Sequence, residues 1–305
     1  MKKIIVLIFT FILIISACSK QDSKQEIRVY SLTGPTSMAI AKLLNDNDQL
    51  YQKNIVSDAS VISNAIAKNE ADIAILPANL AYSLYNKTND FKVVAITTLN
   101  VLYIVSSDKT VTGFNSLRGK TVFLTGQGTT PDLVMNNLLD YYGLKSEVNL
   151  SFKGSANEVA LAISSNLCDT ALLPQPFVTV ALSKNPNLSI VMDLSSQWQS
   201  VYNNSQLVTA VAIVKNDFIA NYPQQFKQFL SDLQNSITWM NNNNDDAGQL
   251  VVDLGILDNQ QIAKKALPQC SLTYIDNKEM KQLVTDYLNI LYGATVDENF
   301  FYIEN

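Results

Sequence analysis

The stretch Asn69-Glu70-Ala71-Asp72-Ile73-Ala74-Ile75-Leu76-Pro77 returns 97 positions later as Asn166-Leu167-Cys168-Asp169-Thr170-Ala171-Leu172-Leu173-Pro174. Asn, Asp, Ala, Leu and Pro keep their places, while the residues between them drift. Residues 62–95 set against 159–192 share 9 identities in 34 ungapped pairs, and 7 of these fall in the 13 pairs that begin at Ala65 and Ala162. An upstream pair matches at an offset of 94, where Val29-Tyr30-Ser31-Leu32-Thr33-Gly34-Pro35-Thr36 resembles Phe123-Leu124-Thr125-Gly126-Gln127-Gly128-Thr129-Thr130. One supersecondary unit has been used twice. Two copies are too few for a solenoid. They leave two similar lobes facing one another, and a cleft between lobes is where a ligand goes.

Outward from the repeat, strand and helix patterns alternate. Ile27–Leu32 predicts a buried strand, followed by a Thr33-Gly34-Pro35 turn and a helix from about Thr36 to Asn45. Val61–Lys68 predicts a helix, Ile73–Leu76 a strand, Leu80–Asn86 a helix and Lys92–Thr97 a strand. This alternation argues for an α/β fold with mostly parallel sheets covered on both faces. Val101–Ser106 and Thr121–Leu124 read as further strands, and the second copy runs to about Leu194. Leu207–Val214 is a long apolar strand opening a final third without a repeat. That third reads as helical, with Pro223 at a first helical position and Phe226, Phe229, Leu230, Leu233 and Ile237 on one apolar face. Asn241–Asp246 predicts a polar turn. The order is lobe one (27–105), lobe two (106–205), then a return to lobe one (206–305). Crossings near Val105–Ser107 and Ser205–Thr209 would make a two-strand hinge.

The N-terminus carries Lys2-Lys3 and then 14 mostly apolar residues, Ile4 to Ala17. That run is too short for a transmembrane helix, which needs about 20 residues, but suits a signal-peptide core. It closes on Ile15-Ser16-Ala17-Cys18, which resembles a bacterial lipobox. Residues 1–17 then form a lipoprotein signal peptide, Cys18 is the lipidated first residue, and 18–26 is a polar tether. An export signal implies an extracytoplasmic protein held at the cell membrane. The formal charge is −5, and removal of residues 1–17 with their two lysines leaves −7. No nucleic acid or anionic lipid is expected as a partner. Arg28 and Arg118 are the only arginines, and histidine is absent. Imidazole acid–base chemistry, Ser–His and Cys–His nucleophiles and histidine metal sites are thereby excluded. Cys168 and Cys270 have no metal spacing, and neither a metal nor a cofactor is expected.

The residues expected to touch a ligand lie in matched turns. In the second copy, Gly126, Gln127 and Gly128 let the backbone approach a guest. Thr129 and Thr130 add hydroxyls, with Thr130 expected as N-cap ahead of Pro131 and Asp132. The first copy offers Thr33, Gly34, Thr36 and Ser37 at the corresponding place. A second matched pair follows the repeated strands: Pro77-Ala78-Asn79 and Pro174-Gln175. Ligands of open α/β sheets bind at such carboxyl ends. Thr97 and Thr98 close the next strand, with Thr98 expected at the ligand.

The lipobox at Cys18, GPTSMAIAKLL (residues 34–44), LRGKTV (117–122), GQGTTPDLVMNNLLDYYGL (126–144), CDTALLPQPF (168–177) and FIANYPQQFKQFL (218–230) resemble the extracytoplasmic solute-binding proteins of ABC importers. The nearest group contains the aliphatic-sulfonate, taurine, nitrate and thiamine-precursor binding proteins. The resemblance covers about residues 27–305. It implies a periplasmic-binding-protein type II fold, two lobes closing on a small solute, and permease and ATPase partners for a monomeric binding protein. By motif position the family's ligand contacts would fall on Thr33–Ser37, Pro77–Asn79, Gln127–Thr130 and Pro174–Phe177. Many members carry glutamate in a Pro-Glu-Pro segment where this chain has Gln175, which removes the carboxylate a cationic ligand would use there. A solute-sensing lipoprotein is the alternative role. Biosynthetic enzymes resembling this architecture use histidine, which this chain lacks.

Overall fold

The computed structural model describes residues 26–203, 205–293 and 295–304. The signal segment, Cys18 and the tether up to residue 25 lie outside the described residues. The first copy of the repeat comprises β1 (Ile27–Leu32), α1 (Pro35–Ala39), α2 (Ala41–Asp46), β2 (Tyr51–Val56), α3 (Ala59–Ala67), β3 (Ile73–Pro77), α4 (Ala78–Thr88), β4 (Phe91–Leu99) and β5 (Leu102–Ser106). The second comprises β6 (Thr121–Thr125), α5 (Thr130–Tyr141), β7 (Asn149–Lys153), α6 (Ala156–Ser164), β8 (Thr170–Pro174), α7 (Phe177–Lys184), β9 (Ser189–Asp193), α8 (Leu194–Val201) and β10 (Val208–Lys215). The recurring residues have local reasons. Asn69 and Asn166 end α3 and α6 in the left-handed region, at φ 61° and 58°, which asparagine tolerates better than other side chains. Pro77 and Pro174 close strands whose next turn must leave the sheet.

Each copy gives its fifth strand to the other lobe. The first sheet runs β11-β4-β10-β3-β1-β2, with β11 (Leu272–Ile275) added at one edge, and the second runs β7-β6-β8-β5-β9. β10 lies antiparallel between β3 and β4, and β5 lies antiparallel between β8 and β9. The remaining matched strands are parallel, so their carboxyl ends share one edge of each sheet. Because β5 pairs wholly within the second sheet, the first crossing is at Asn100-Val101 rather than Val105–Ser107. Leu102–Val105 therefore belong with lobe two. Asn100 and Val101 both take positive φ, 63° and 74°. The Asn100 N–H donates to the Leu207 carbonyl at 2.8 Å, so the two connections lie side by side.

The last third continues with α9 (Asn216–Asn221), α10 (Pro223–Asn242), α11 (Asn244–Asp253), α12 (Gln260–Ala266) and α13 (Asn277–Tyr292). α10 buries Phe226, Phe229, Leu233, Ile237 and Met240 on one stripe, which fits its apolar period. The asparagine run predicted as a turn is helical apart from a break at Asn243, because its flanks are pinned by Met240 and Ala247 in the core. The helix predicted over Thr36–Asn45 breaks at Ile40, whose φ of −105° and ψ of 5° leave the helical range. Both apolar cores extend across the lobes; one joins Val29, Met38 and Phe229 with Val178 and Ile163.

Candidate ligand site

Strand register sets the expected contact residues on two facing edges. Thr98 of β4 stands opposite Ala210 of β10, and Ala210 opposite Pro77 of β3. Thr33 follows β1, whose Ser31 pairs with Ile75 two residues before Pro77. In the second sheet Leu102 stands opposite Pro174 and Tyr103 opposite Asp193. The edges meet through crosswise contacts. Asn79, after β3, donates through Nδ2 to the Gly128 carbonyl at 3.2 Å, and its Oδ1 accepts from Thr130 Oγ1 at 2.8 Å. Reciprocally, Gly34, after β1, faces Phe177, after β8: a Cβ at Gly34 would stand 3.6 Å from that ring. Each joins a turn glycine of one lobe, Gly34 or its match Gly128, to a residue just past the strand-proline of the other.

A third bridge is Gln175. Its Oε1 accepts from the Thr179 backbone N–H at 3.3 Å and from Thr179 Oγ1 at 2.8 Å, while its Nε2 donates to Gln269 Oε1 at 2.8 Å. Gln269 precedes β11 and belongs to lobe one; sequence reasoning missed it, because nothing in the pattern around Leu267-Pro268-Gln269 marks it. Asn79 and Gln175 are both buried, at 1% and 0% exposure. On the α13 side the Tyr292 hydroxyl lies near Asn79. The Tyr287 hydroxyl lies near Thr130 but outside hydrogen-bond geometry.

Most hydroxyls expected at the ligand are bound to their own turns. Thr33 Oγ1 donates to the Val56 carbonyl at 3.3 Å, Thr36 Oγ1 to the Leu32 carbonyl, and Ser37 Oγ to the Gly34 carbonyl at 3.0 Å. Thr129, in place of Thr130, takes the N-cap position of α5 but accepts no capping bond; its Oγ1 donates to the Gly126 carbonyl at 2.7 Å. Asp132 Oδ2 accepts the Gly128 N–H at 2.8 Å, so the turn has already taken a carboxylate of its own. Gln127 and Gly128 are exposed, and Ala78 is buried beside Pro77. In contrast, Thr97 Oγ1, Thr98 Oγ1 and Ser195 Oγ are buried with no hydrogen-bond partner in the protein.

Neither arginine reaches these turns. Arg28 forks onto Asp72, with contacts of 2.7 and 2.9 Å, and this hydrogen bonding raises the guanidinium pKa above its ordinary value. Arg118 pairs with Glu147 on the outer surface. Among the described residues, no group of three or more Cys, Asp and Glu is placed to hold a metal ion.

The family model described as ABC transporter, phosphonate, periplasmic substrate-binding protein matches residues 51–255. The chain belongs to this family. It is an extracytoplasmic binding protein rather than an enzyme, with a transported ligand and permease and ATPase subunits as its partners. No protein of curated function matches the sequence. Solved structures share the fold, two α/β lobes of the periplasmic-binding-protein type II arrangement. A crystal structure of an ABC transporter from Parabacteroides distasonis has a TM-score of 0.76 at 22% identity, over 92% of this chain and 99% of that one. The periplasmic aliphatic sulphonate binding protein SsuA of Escherichia coli has a TM-score of 0.70 at 14% identity, over 92% of each chain. The alkanesulfonate-binding protein SsuA of Xanthomonas axonopodis pv. citri, bound to MOPS, has a TM-score of 0.69 at 11% identity, over 88% of this chain and 92% of that one.

Proposed function

We propose that this chain is the lipid-anchored capture component of an ABC importer for a small organic solute, a sulfonate-like anion or a thiamine-precursor-like molecule. The observation that carries the ligand chemistry is the absence of arginine from the facing edges, together with the buried hydroxyls they hold. Neutral donors, each contributing about 0.5–1.5 kcal/mol net, can hold an oxygen acceptor in a closed cleft. They do so best when the head carries one charge or none. A dianion would need counter-charge, because moving isolated charge out of water is costly. The family description names phosphonates and two of the structural relatives above name sulfonates; edges without arginine favour the singly charged sulfonate type here.

Thermal melts with methanesulfonate, 2-aminoethanesulfonate and methylphosphonate test this reading across pH 6–9. Sulfonates should raise the midpoint at every pH. Methylphosphonate should lose its effect as pH climbs, because a phosphate-type head sheds its second proton near neutral pH, at about 6 for a phosphate ester. A phosphonate that binds more tightly at high pH would contradict the charge argument.

The anchor is part of the same proposal. Lys2-Lys3, the apolar run and Ser16-Ala17-Cys18 support lipidation of Cys18. Cys18→Ala should move the protein from the membrane fraction to the medium or periplasm. A variant that stays in the membrane fraction would sink that part.

A further inference from the structure

Several buried hydroxyls of this fold are paired. Ser106 Oγ donates to the Asp169 carbonyl at 2.7 Å and meets Thr170 Oγ1 at 3.0 Å. Ser236 Oγ donates to the Ala39 carbonyl at 2.8 Å and Thr179 Oγ1 to Gln175. Thr97 and Thr98 are instead 0% exposed and unpartnered, as is the Tyr287 hydroxyl near Thr130. An orphaned buried hydroxyl costs free energy that a well-packed methyl would not.

The backbone at this point is irregular. Thr98 pairs with Ala210 and Ile96 with Val211, so β4 advances two residues while β10 advances one. Thr97 is the extra residue of a β-bulge, a device that re-aims side chains. It sits at the carboxyl edge of the first sheet, a few residues before the Asn100-Val101 crossing.

The repeat supplies a counterpart. Shifted by 97 positions, Thr98 corresponds to Ser195, at the start of α8 just past the carboxyl end of β9. Ser195 is 5% exposed and its Oγ is likewise unpartnered, although its backbone N–H is capped by Asp193 at 2.8 Å. The same position of the duplicated unit thus carries an orphaned hydroxyl in each lobe.

We propose that Thr97 and Thr98 from lobe one and Ser195 from lobe two are the hydroxyl set that reads the oxygen-acceptor head of the ligand. The α5 turn and Asn79 then serve to hold the lobes together. This rests on the solute-capture reading above. Beside Ser195 the Asp193 carboxylate is engaged with Ser195 N–H and Ser196 Oγ, so the hydroxyls themselves supply the donors.

Calorimetry and melts on the full-length protein with Thr97→Val, Thr98→Val and Ser195→Ala test the assignment, using methanesulfonate and 2-aminoethanesulfonate as probes. Each substitution should weaken the bound probe about tenfold or more, and the ligand-free melting midpoint should hold or rise. Unchanged affinity in all three variants overturns the hydroxyl set while leaving solute capture standing. Midpoints that fall by several degrees without ligand overturn it too, since they would show that the hydroxyls serve the fold. Absence of binding by the unsubstituted protein to either probe defeats the proposal together with the ligand class on which it rests.

Discussion

At Gln175 both ends of the carboxamide are engaged, with Thr179 in its own lobe and Gln269 in the other. Its position after the second strand-proline was legible in the sequence, because a matched motif fixes the edge of the sheet. Its partner was not, since Gln269 arrives from a segment 94 residues away. The hydroxyls divide in the same way. Short-range geometry ties Thr33, Thr36, Ser37 and Thr129 to carbonyls a turn away or on the neighbouring strand, which composition and spacing do not reveal. The cysteines make a prediction at this scale. Cys168 and Cys270 are free, in different lobes, and burial pushes their thiols up to about 11 and 12 respectively. Thiolate is the reactive form, so both should be nearly inert at pH 8. Titration of a Cys18→Ala chain with a thiol-reactive chromophore should show little reaction in the native state and two thiols after denaturation. Rapid native labelling of Cys270, which is 0% exposed, would contradict the packing described.

The duplicated elements were the most legible part of the chain. α3 and α6, and likewise β3 and β8, begin and end 97 residues apart, as the repeat requires. What the sequence hid were the edge strands β2 and β7, whose residues Tyr51-Gln52-Lys53-Asn54 and Asn149-Leu150-Ser151 lack an apolar run. An edge strand leaves much of itself to solvent and so carries a weak period-two signal. The first crossing was misplaced for a different reason. Val101–Ser106 reads as a strand of its own, but its apolar residues do not say which sheet it joins, and its pairing with β8 and β9 is long-range. α10 shows the opposite case, where a clean apolar stripe gave the helix and its buried face together. Phe229 lies on that stripe, fully buried and edge-on to Tyr51 at 6.4 Å between ring centroids. Phe229→Ala should cost about 3–5 kcal/mol and lower the melting midpoint by roughly 10 °C. Gln224→Ala on the exposed side of the same helix should stay within about 0.5 kcal/mol. Equal losses in the two variants, measured by thermal melting, would mean that α10 does not dock as described.

Over the whole molecule, the two lobes exchange their fifth strands and are joined at adjacent connections, Asn100-Val101 and the segment before β10, about which the proposed capture has them close. Asn79 to Gly128 and Thr130, Gln175 to Gln269, and Gly34 to Phe177 then act as contacts of the closed form. A ligand that touches both lobes favours that form by its differential affinity for it. Asn79→Ala removes one bridge and leaves the Gly128 carbonyl and Thr130 hydroxyl without their partner, so it should shift the ligand-free protein toward an open form. Small-angle X-ray scattering of this variant, with and without a saturating sulfonate, tests the capture account most directly. The account predicts a larger radius of gyration for ligand-free Asn79→Ala than for the saturated protein, and a return to the compact value on saturation. The same radius in both states, with binding verified by calorimetry, would contradict closure of the cleft as the means of capture.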